Sequence, residues 1–135
     1  MHKSQVSVEY MFVMGFAALI TIPLLLIYYT YTTDSADSVA TGQAMQIARK
    51  IVDSSESVYY LGKPSQTTLK LNFPDRIHST NLSSREVVFR MNVKGGTADI
   101  VQVSSVNMSG NLPTTGGIHI VTIKAEDNYA QITSN

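Results

Sequence analysis

The strongest constraint on this chain is a run of 24 uncharged residues, 10–33. Residues 11–31 are nearly all apolar or aromatic, and about 20 such residues are enough to cross the hydrocarbon core of a bilayer as a helix. A soluble helix of this length normally has a polar face, so a buried helix of a soluble core is the weaker interpretation. We therefore predict that residues 5–33 form a membrane-spanning helix.

The same run is too long for an ordinary secretory signal peptide, whose apolar region is usually about 7 to 15 residues and precedes a small-residue cleavage site. At the end of the run, where a cleavage site would need small residues, this chain has Tyr28, Tyr29 and Tyr31. Tyrosine side chains suit the headgroup level of a membrane. Lys3 precedes the run, and Asp34 and Asp37 follow it. Since basic residues favour the cytoplasmic side, we predict a cytoplasmic N-terminus and an extracellular domain after Tyr31.

Composition and motif content argue against several classes of function. The 10 Lys and Arg residues are balanced by 10 Asp and Glu residues, so a broad basic surface for nucleic acid is not expected. The absence of cysteine excludes disulfides, thiolate metal sites and cysteine nucleophiles. The histidines His2, His78 and His119 lack the spacing of metal ligands, and no phosphate-binding or nucleophile motif occurs. We therefore predict that the chain is not an enzyme and has no cofactor, and we nominate no catalytic or metal-binding residue.

A short motif lies directly before the apolar run. A glutamine is followed by a serine two positions on and a glutamate four positions on, and a small residue and a basic residue precede it: Lys3, Ser4, Gln5, Ser7 and Glu9. In front of a charge-free helix, this string resembles the class III signal peptide of archaeal type IV pilin-like proteins. In that family a prepilin peptidase cuts immediately before the glutamine. The family often has leucine eight positions after the glutamine, where this chain has Val13.

The resemblance implies a sequence of states for the protein. Residues 1–4 would be a leader that is removed before Gln5, and the helix would serve first as a membrane span and then as the core of a helical homopolymer. Glu9 would pair with the new amine of Gln5 in a neighbouring subunit, so that neither charge is buried alone. The implied partners are copies of the chain, the prepilin peptidase, a secretion ATPase and a membrane platform protein. The implied function is that of a structural subunit of an archaeal type IV-like pilus, used for surface adhesion.

Two residues inside the run bear on helix packing. Gly15 permits a neighbouring helix to approach closely. Pro23 removes one backbone hydrogen bond, so we expect a kink or a locally melted turn there. Together with Gln5 and Glu9, these are the residues that we assign to assembly.

Beyond the run, residues 34–61 become periodic and predict an amphipathic continuation of the helix, closed by Gly62 and Pro64. Its apolar stripe comprises Ala36, Val39 or Ala40, Gln43 or Ala44, Ile47, Ile51, Ser54 or Ser55, and Val58. Residues 62–135 alternate as strands do. The predicted fold class is α+β: a long N-terminal helix followed by a small antiparallel β-sheet head of four or five strands, as in type IV pilins.

Within residues 62–135 we predict strands near 69–73, 87–93, 98–106, 118–124 and 128–133. Gly95 and Gly96 predict a hairpin turn, after which Val101 and Val103 would join the buried face. Residues 109–117 are expected to form a loop. The run 110–118 also resembles the penultimate loop and strand of small archaeal pilin-like domains.

Two N-glycosylation sequons begin at Asn81 and Asn107, in or beside predicted loops of the extracellular domain. We predict both as glycosylation sites, although such triplets also arise by chance in a chain rich in Ser and Thr. Glu126 and Asp127 could be a catalytic pair or calcium ligands, but adjacent acids before Asn128 more often mark a turn.

Two other classes of function compete with the pilus subunit. One is a binding protein: a single-pass anchored surface protein, or a minor pilin-like subunit that does not build the filament. The other is an enzyme. Replacement of Glu9 would separate the first two classes, because loss of assembly with retained membrane insertion favours a polymer, whereas an unchanged protein favours a simple anchor.

Overall fold

The computed structural model describes residues 2–135, with side chains described from Val6 onward. One helix, α1, spans His2–Leu61. Seven strands follow: β1 (Gln66–Phe73), β2 (Ile77–Ser83), β3 (Glu86–Val93), β4 (Gly96–Val103), β5 (Met108–Gly110), β6 (Gly117–Ala125) and β7 (Ala130–Ser134). The chain divides into two compact units, Met1–Ala36 and Asp37–Asn135, which we call the N-terminal segment and the head unit. The predicted α+β class is confirmed.

The N-terminal segment is helical and exposes its apolar side chains. Every large hydrophobic side chain between residues 6 and 31 is at least 46% exposed. Within the described part of the chain, there is one helix that is long and apolar enough to cross a membrane. The helix continues without interruption through Pro23, so the locally melted turn that we expected there is not present. Because proline lacks an N–H, the carbonyl of Leu19 loses its usual helical partner at this point.

The head unit contains two sheets rather than one. The first has the strand order β1-β6-β7-β5, and the second has the order β2-β3-β4. All neighbouring strands are antiparallel except β5 and β7, which are parallel. The count of seven strands exceeds the predicted four or five, because β2 and the three-residue β5 were not predicted.

A single hydrophobic cluster joins the helical part of the head unit to both sheets. Among the alternatives for the helical stripe, Ala44 and Ser55 are buried and Ala40 packs against the cluster. The hydroxyl of Ser55 donates a 2.7 Å hydrogen bond to the carbonyl of Ile51, which satisfies this buried polar group. The rings of Phe73 and Phe89 meet edge to face with centroids 5.9 Å apart, so that β1 packs against β3 across the two sheets.

The side chains of β4 face the opposite way from the prediction. Phe89 is buried and pairs in register with Ile100, which is buried as well. Successive side chains of a strand point to opposite faces, so Val101 and Val103 lie on the outer face, and their predicted burial is wrong. The preceding turn is formed by Lys94 and Gly95, one residue earlier than predicted, since β4 already begins at Gly96.

Two glycines allow close backbone approaches in the head unit. Gly110 has a φ of 142°, and a Cβ placed there would collide with the backbone of Ile132 on the parallel strand β7. A Cβ on Gly116 would collide with Asp75 in the loop between β1 and β2. Only a residue without a side chain fits either approach without rearrangement.

Asp37 connects the helix of the head unit to two turns. Its side chain is 15% exposed, and one carboxylate oxygen forms an ion pair with Arg76 in the loop between β1 and β2. The other oxygen accepts a 2.7 Å hydrogen bond from the backbone N–H of Lys94 in the β3–β4 turn. Charge-assisted bonds of this kind are stronger than neutral ones, so Asp37 fixes the start of the helical part against both sheets.

Glu56 makes a second connection, near the opposite end of the helix. Its Oε1 accepts a 2.7 Å bond from the backbone N–H of Ser105 and a 3.3 Å bond from the hydroxyl of Ser104. The backbone hydrogen bond from Ser105 is the main cause that lowers the pKa of the Glu56 carboxyl, because it stabilises the charged form.

Candidate functional site

The main candidate site is the apolar surface of the N-terminal segment. On one side of the helix lies an open groove of about 590 Å³, lined by Val8, Met11, Phe12, Gly15, Phe16 and Leu19. A Cβ added to Gly15 would meet nothing within 4 Å, so this glycine leaves open space at the groove. Such a surface contacts lipid chains or a second apolar helix by dispersion forces and has no polar group for a soluble substrate.

Threonines near the end of this segment satisfy their hydroxyls within the helix. The hydroxyl of Thr30 donates to the carbonyl of Leu26 at 3.0 Å. Those of Thr32 and Thr33 donate in the same way to the carbonyls four residues earlier, at 2.9 and 2.8 Å. An unbonded hydroxyl is costly in an apolar medium, so these bonds suit a helix that passes from hydrocarbon to the interface. The corresponding sequence signal is the cluster of Thr30, Thr32 and Thr33 beside Tyr28, Tyr29 and Tyr31.

The motif residues occupy the first turns of α1. Lys3, Ser4 and Gln5 belong to the helix, but their side chains lie outside the described part of the structure. Ser7 and Glu9 are exposed. Glu9 follows Gln5 by four residues, which places the two positions on one face of the helix. Helical geometry thus brings together two of the four positions that we assigned to assembly, Gln5 and Glu9, and the other two, Gly15 and Pro23, follow on the same helix.

The two sequons lie in different surroundings. Asn81 and Ser83 are exposed at the end of β2, directly before the turn to β3. Asn107 lies just before β5, and its side chain is engaged: Oδ1 accepts a 3.4 Å bond from Arg85, and Nδ2 donates a 3.5 Å bond to the carbonyl of Asn128. Both sequons therefore lie beside turns or loops, but they differ in that the Asn107 side chain is hydrogen-bonded to neighbouring residues.

The other chemically active residues have structural contacts. Nζ of Lys63 lies 2.8 Å from Glu126 and 2.9 Å from Asp127. Hydrogen bonds to these two carboxylates, chiefly to Glu126, raise the pKa of Lys63. His119 is half-buried in β6 with its ring against Phe73. No group of three or more potential metal ligands occurs among the described residues.

Among the described residues, the main candidate for a functional surface is therefore a helix rather than a pocket of polar side chains. Its geometry allows insertion into a membrane or packing against other helices. Comparison of the chain with protein-family models, with curated proteins and with solved structures finds no match in any of the three.

Proposed function

We propose that this chain is the structural subunit of an archaeal type IV-like pilus, made as a membrane-inserted precursor and assembled through its apolar N-terminal helix. One observation carries the proposal. A helical surface that is apolar on every side and at least 46% exposed at each large hydrophobic residue directly follows the Gln5–Ser7–Glu9 motif. A plain membrane anchor would need the apolar surface and would have no need of the motif.

The energetics favour a permanent apolar environment for this helix. Burying one large apolar side chain stabilises a protein by about 1.5–3 kcal/mol, and this segment exposes such side chains on all sides. A monomer in water would expose far more apolar surface than soluble monomers do. The helix is therefore in lipid before assembly and in contact with copies of itself in the filament, where the open groove at Gly15 receives a neighbouring helix.

Glu9 supplies the register of assembly. Removal of residues 1–4 would create a positive amine at Gln5, on the same helix face as Glu9. A carboxylate within an apolar core needs a partner, since an isolated buried charge is costly. Pairing of Glu9 with the amine of the next subunit meets this need and fixes the axial offset between subunits.

The head unit would then lie on the outside of the filament and provide the surface used for adhesion. Its internal connections through Asp37 and Glu56 stabilise the unit independently of the filament contacts. The partners required by this proposal are the prepilin peptidase, a secretion ATPase and a membrane platform protein, together with further copies of the chain.

The first test is to shear native cells and to determine by intact mass spectrometry where the chain begins in the high-molecular-weight fraction. The expected result is a filament fraction whose chains begin at Gln5. A chain that stays in the membrane fraction with residues 1–4 attached would overturn the proposal and favour the single-pass surface protein.

A variant then isolates assembly from insertion. Glu9→Ala should abolish filaments while the chain still enters the membrane and still begins at Gln5, because the intersubunit charge pair is lost. Glu86→Ala is a matched control, since Glu86 is an exposed acid of the head unit. Normal filaments of the Glu9→Ala variant would contradict the proposed role of Glu9 and would leave a filament assembled by apolar packing alone.

A further inference from the structure

The outer face of the β2-β3-β4 sheet carries a valine stripe, which we define as half-buried Val88 and exposed Val101 and Val103. Val88 and Val101 are direct neighbours in the register of β3 and β4, and Val103 lies two residues along β4 on the same face. Val101 is 50% exposed and Val103 is 61% exposed. Val101 and Val103 therefore form a small apolar patch on a sheet face that is open to solvent.

The sequon at Asn81 lies on the same face and in line with the stripe. Asn81 pairs in register with Val88, which in turn pairs with Val101. Neighbouring strands are about 4.8 Å apart, so the backbone at Asn81 and that at Val101 are separated by about 10 Å. A chain of sugars attached to Asn81 could therefore lie across the stripe without any change in the fold.

Asn81 is also accessible to a modifying enzyme. Residues 81–83 end β2 and adjoin the two-residue turn at Ser84 and Arg85. Both Asn81 and Ser83 are exposed. Among the hydrogen bonds of the described residues, none engages the Asn81 carboxamide. The backbone of residues 81–83 is paired with β3 and Leu82 packs against the core, but the side chains of Asn81 and Ser83 can be reached in the folded head unit.

The sequon at Asn107 differs in its hydrogen bonds, although Asn107 and Ser109 are exposed as well. Its middle residue, Met108, is 3% exposed and donates a 2.7 Å backbone hydrogen bond to the carbonyl of Ser84. The carbonyl of Asn107 accepts a 2.8 Å bond from the N–H of Ala130. Its carboxamide is also bonded to Arg85 and to the carbonyl of Asn128, and these bonds must break before the Asn107 nitrogen can react.

We propose that Asn81, and not Asn107, carries an N-linked glycan and that this glycan covers the valine stripe. The donor is a lipid-linked oligosaccharide phosphate or diphosphate. The carboxamide nitrogen of Asn81 forms a bond to the anomeric carbon of the first sugar and loses one proton, while the bond from that carbon to the phosphate oxygen breaks and the lipid phosphate leaves with the electron pair. The inference rests on the extracellular placement of the head unit in the proposed function.

The first experiment maps the modification on the full chain purified from native cells. Peptide mass spectrometry should find the added mass on the peptide that contains Asn81 and none on the peptide that contains Asn107. Ser83→Ala and Ser109→Ala are matched variants, because each removes the hydroxyl of one sequon and keeps its asparagine. Ser83→Ala should abolish the added mass, as should Asn81→Gln, and Ser109→Ala should leave it unchanged. A glycan at Asn107, or no glycan at all, would overturn the proposal.

The second experiment tests coverage of the stripe. Hydroxyl-radical footprinting reads the solvent exposure of individual side chains, and it can be applied to the native chain and to Ser83→Ala. Labelling of Val101 and Val103 should rise several-fold when the glycan is lost. Ile118 and Ile120, which are exposed on the other sheet, serve as internal references and should not change. Equal labelling of the valines in both proteins would overturn the covering role.

The N-terminus measured in the same samples separates this inference from the proposed function. Chains that begin at Gln5 without a glycan would contradict the modification and support the pilus subunit. Chains that retain residues 1–4 and carry a glycan at Asn81 would support the modification and contradict the pilus subunit, leaving an anchored surface protein.

Discussion

The N-terminal segment and the head unit use similar side chains in opposite ways. In the segment, large apolar residues surround the helix and remain exposed, whereas in the head unit they line one face of each element and meet in a single cluster. Phe12 is 75% exposed and Phe89 is fully buried. The same residue type thus belongs to the core in one region and is exposed in the other. A single α-helix contributes to both units, so this difference follows from the residue pattern and not from the type of secondary structure.

The largest expected effect separates the two regions by their phenylalanines. Phe89→Ala should lower the free energy of unfolding of the head unit by about 3–5 kcal/mol, because it leaves a cavity beside Phe73. Phe12→Ala should change it by less than about 0.5 kcal/mol. Denaturant unfolding of the full chain in detergent micelles, followed by amide hydrogen exchange in β3 and β6, measures both. An equal loss in the two variants would show that the regions do not differ as described.

The second-largest expected effect on stability comes from the comparison of two glycines. Gly110→Ala should destabilise the head unit by about 2–3 kcal/mol, since alanine is strained at a φ of 142° and its Cβ would collide with the backbone of Ile132. The Cβ that Gly15→Ala adds would have no atom within 4 Å, so the free energy of unfolding of the head unit should be unchanged. The same micelle assay applies. If the alanine at position 110 were tolerated, the close packing of β5 on β7 would be incorrect.

The connections at the edge of the head unit should be weaker than its core. Asp37→Asn should cost about 1–2 kcal/mol, because it removes the charge from the ion pair with Arg76 and weakens the bond from Lys94. Asp99→Asn is the control: Asp99 pairs with Arg90 at 2.7 Å, but both side chains are largely exposed, and such pairs contribute about 0–1 kcal/mol. Urea denaturation at neutral pH compares the two variants. A larger effect at Asp99 would refute the role assigned to Asp37.

The smallest expected effect concerns pH. The folded-state pKa of Glu56 lies below its ordinary value of 4.5, so the stability it provides is present above that value and is lost as the pH falls through the lower folded-state pKa. The loss should be about 1 kcal/mol or less, since solvent screens a partly exposed group. Comparison of the native chain with Glu56→Gln between neutral and acidic pH isolates this contribution, because other carboxylates titrate in both proteins. Identical pH profiles would mean that Glu56 contributes nothing.

Much of this fold could be predicted because its helical patterns are strong. The charge-free run predicts the exposed N-terminal segment, and steps of three and four predict the buried positions Ala44, Ile47, Ile51 and Val58. Where two neighbouring residues fitted the stripe, only packing against the sheets could decide between them. Val39 is exposed and Ala40 packs against the cluster, because the smaller residue lies on the side of the helix that faces the core.

The strands were harder to predict, for physical reasons. β2 is mostly polar and its register shifts between Ile77 and Ser79, so the alternating pattern is broken. In β4 the apolar residues occur on both faces of the strand. Ile100 is buried because it pairs with Phe89, and the same register places Val101 and Val103 on the outer face.

The polar connections and the accessible sequon were also beyond the reach of sequence patterns. Asp37 and Lys94 are 57 residues apart, and Glu56 and Ser105 are 49 apart, so no local spacing indicates either contact. The two sequons are identical in type, and only the fold distinguishes exposed Asn81 from the engaged side chain of Asn107.

The position of β7 has a consequence for how the head unit forms during synthesis. β7 lies inside its sheet, between β6 and β5, although it is the last strand along the chain. β5 has no other strand partner in that sheet, so it stays unpaired until residues 130–134 have emerged. The three-stranded sheet, built from consecutive hairpins, can form earlier. Completion of the head unit is therefore a late event, and a chain stalled before β7 would present an open sheet edge to the machinery that handles unfinished proteins.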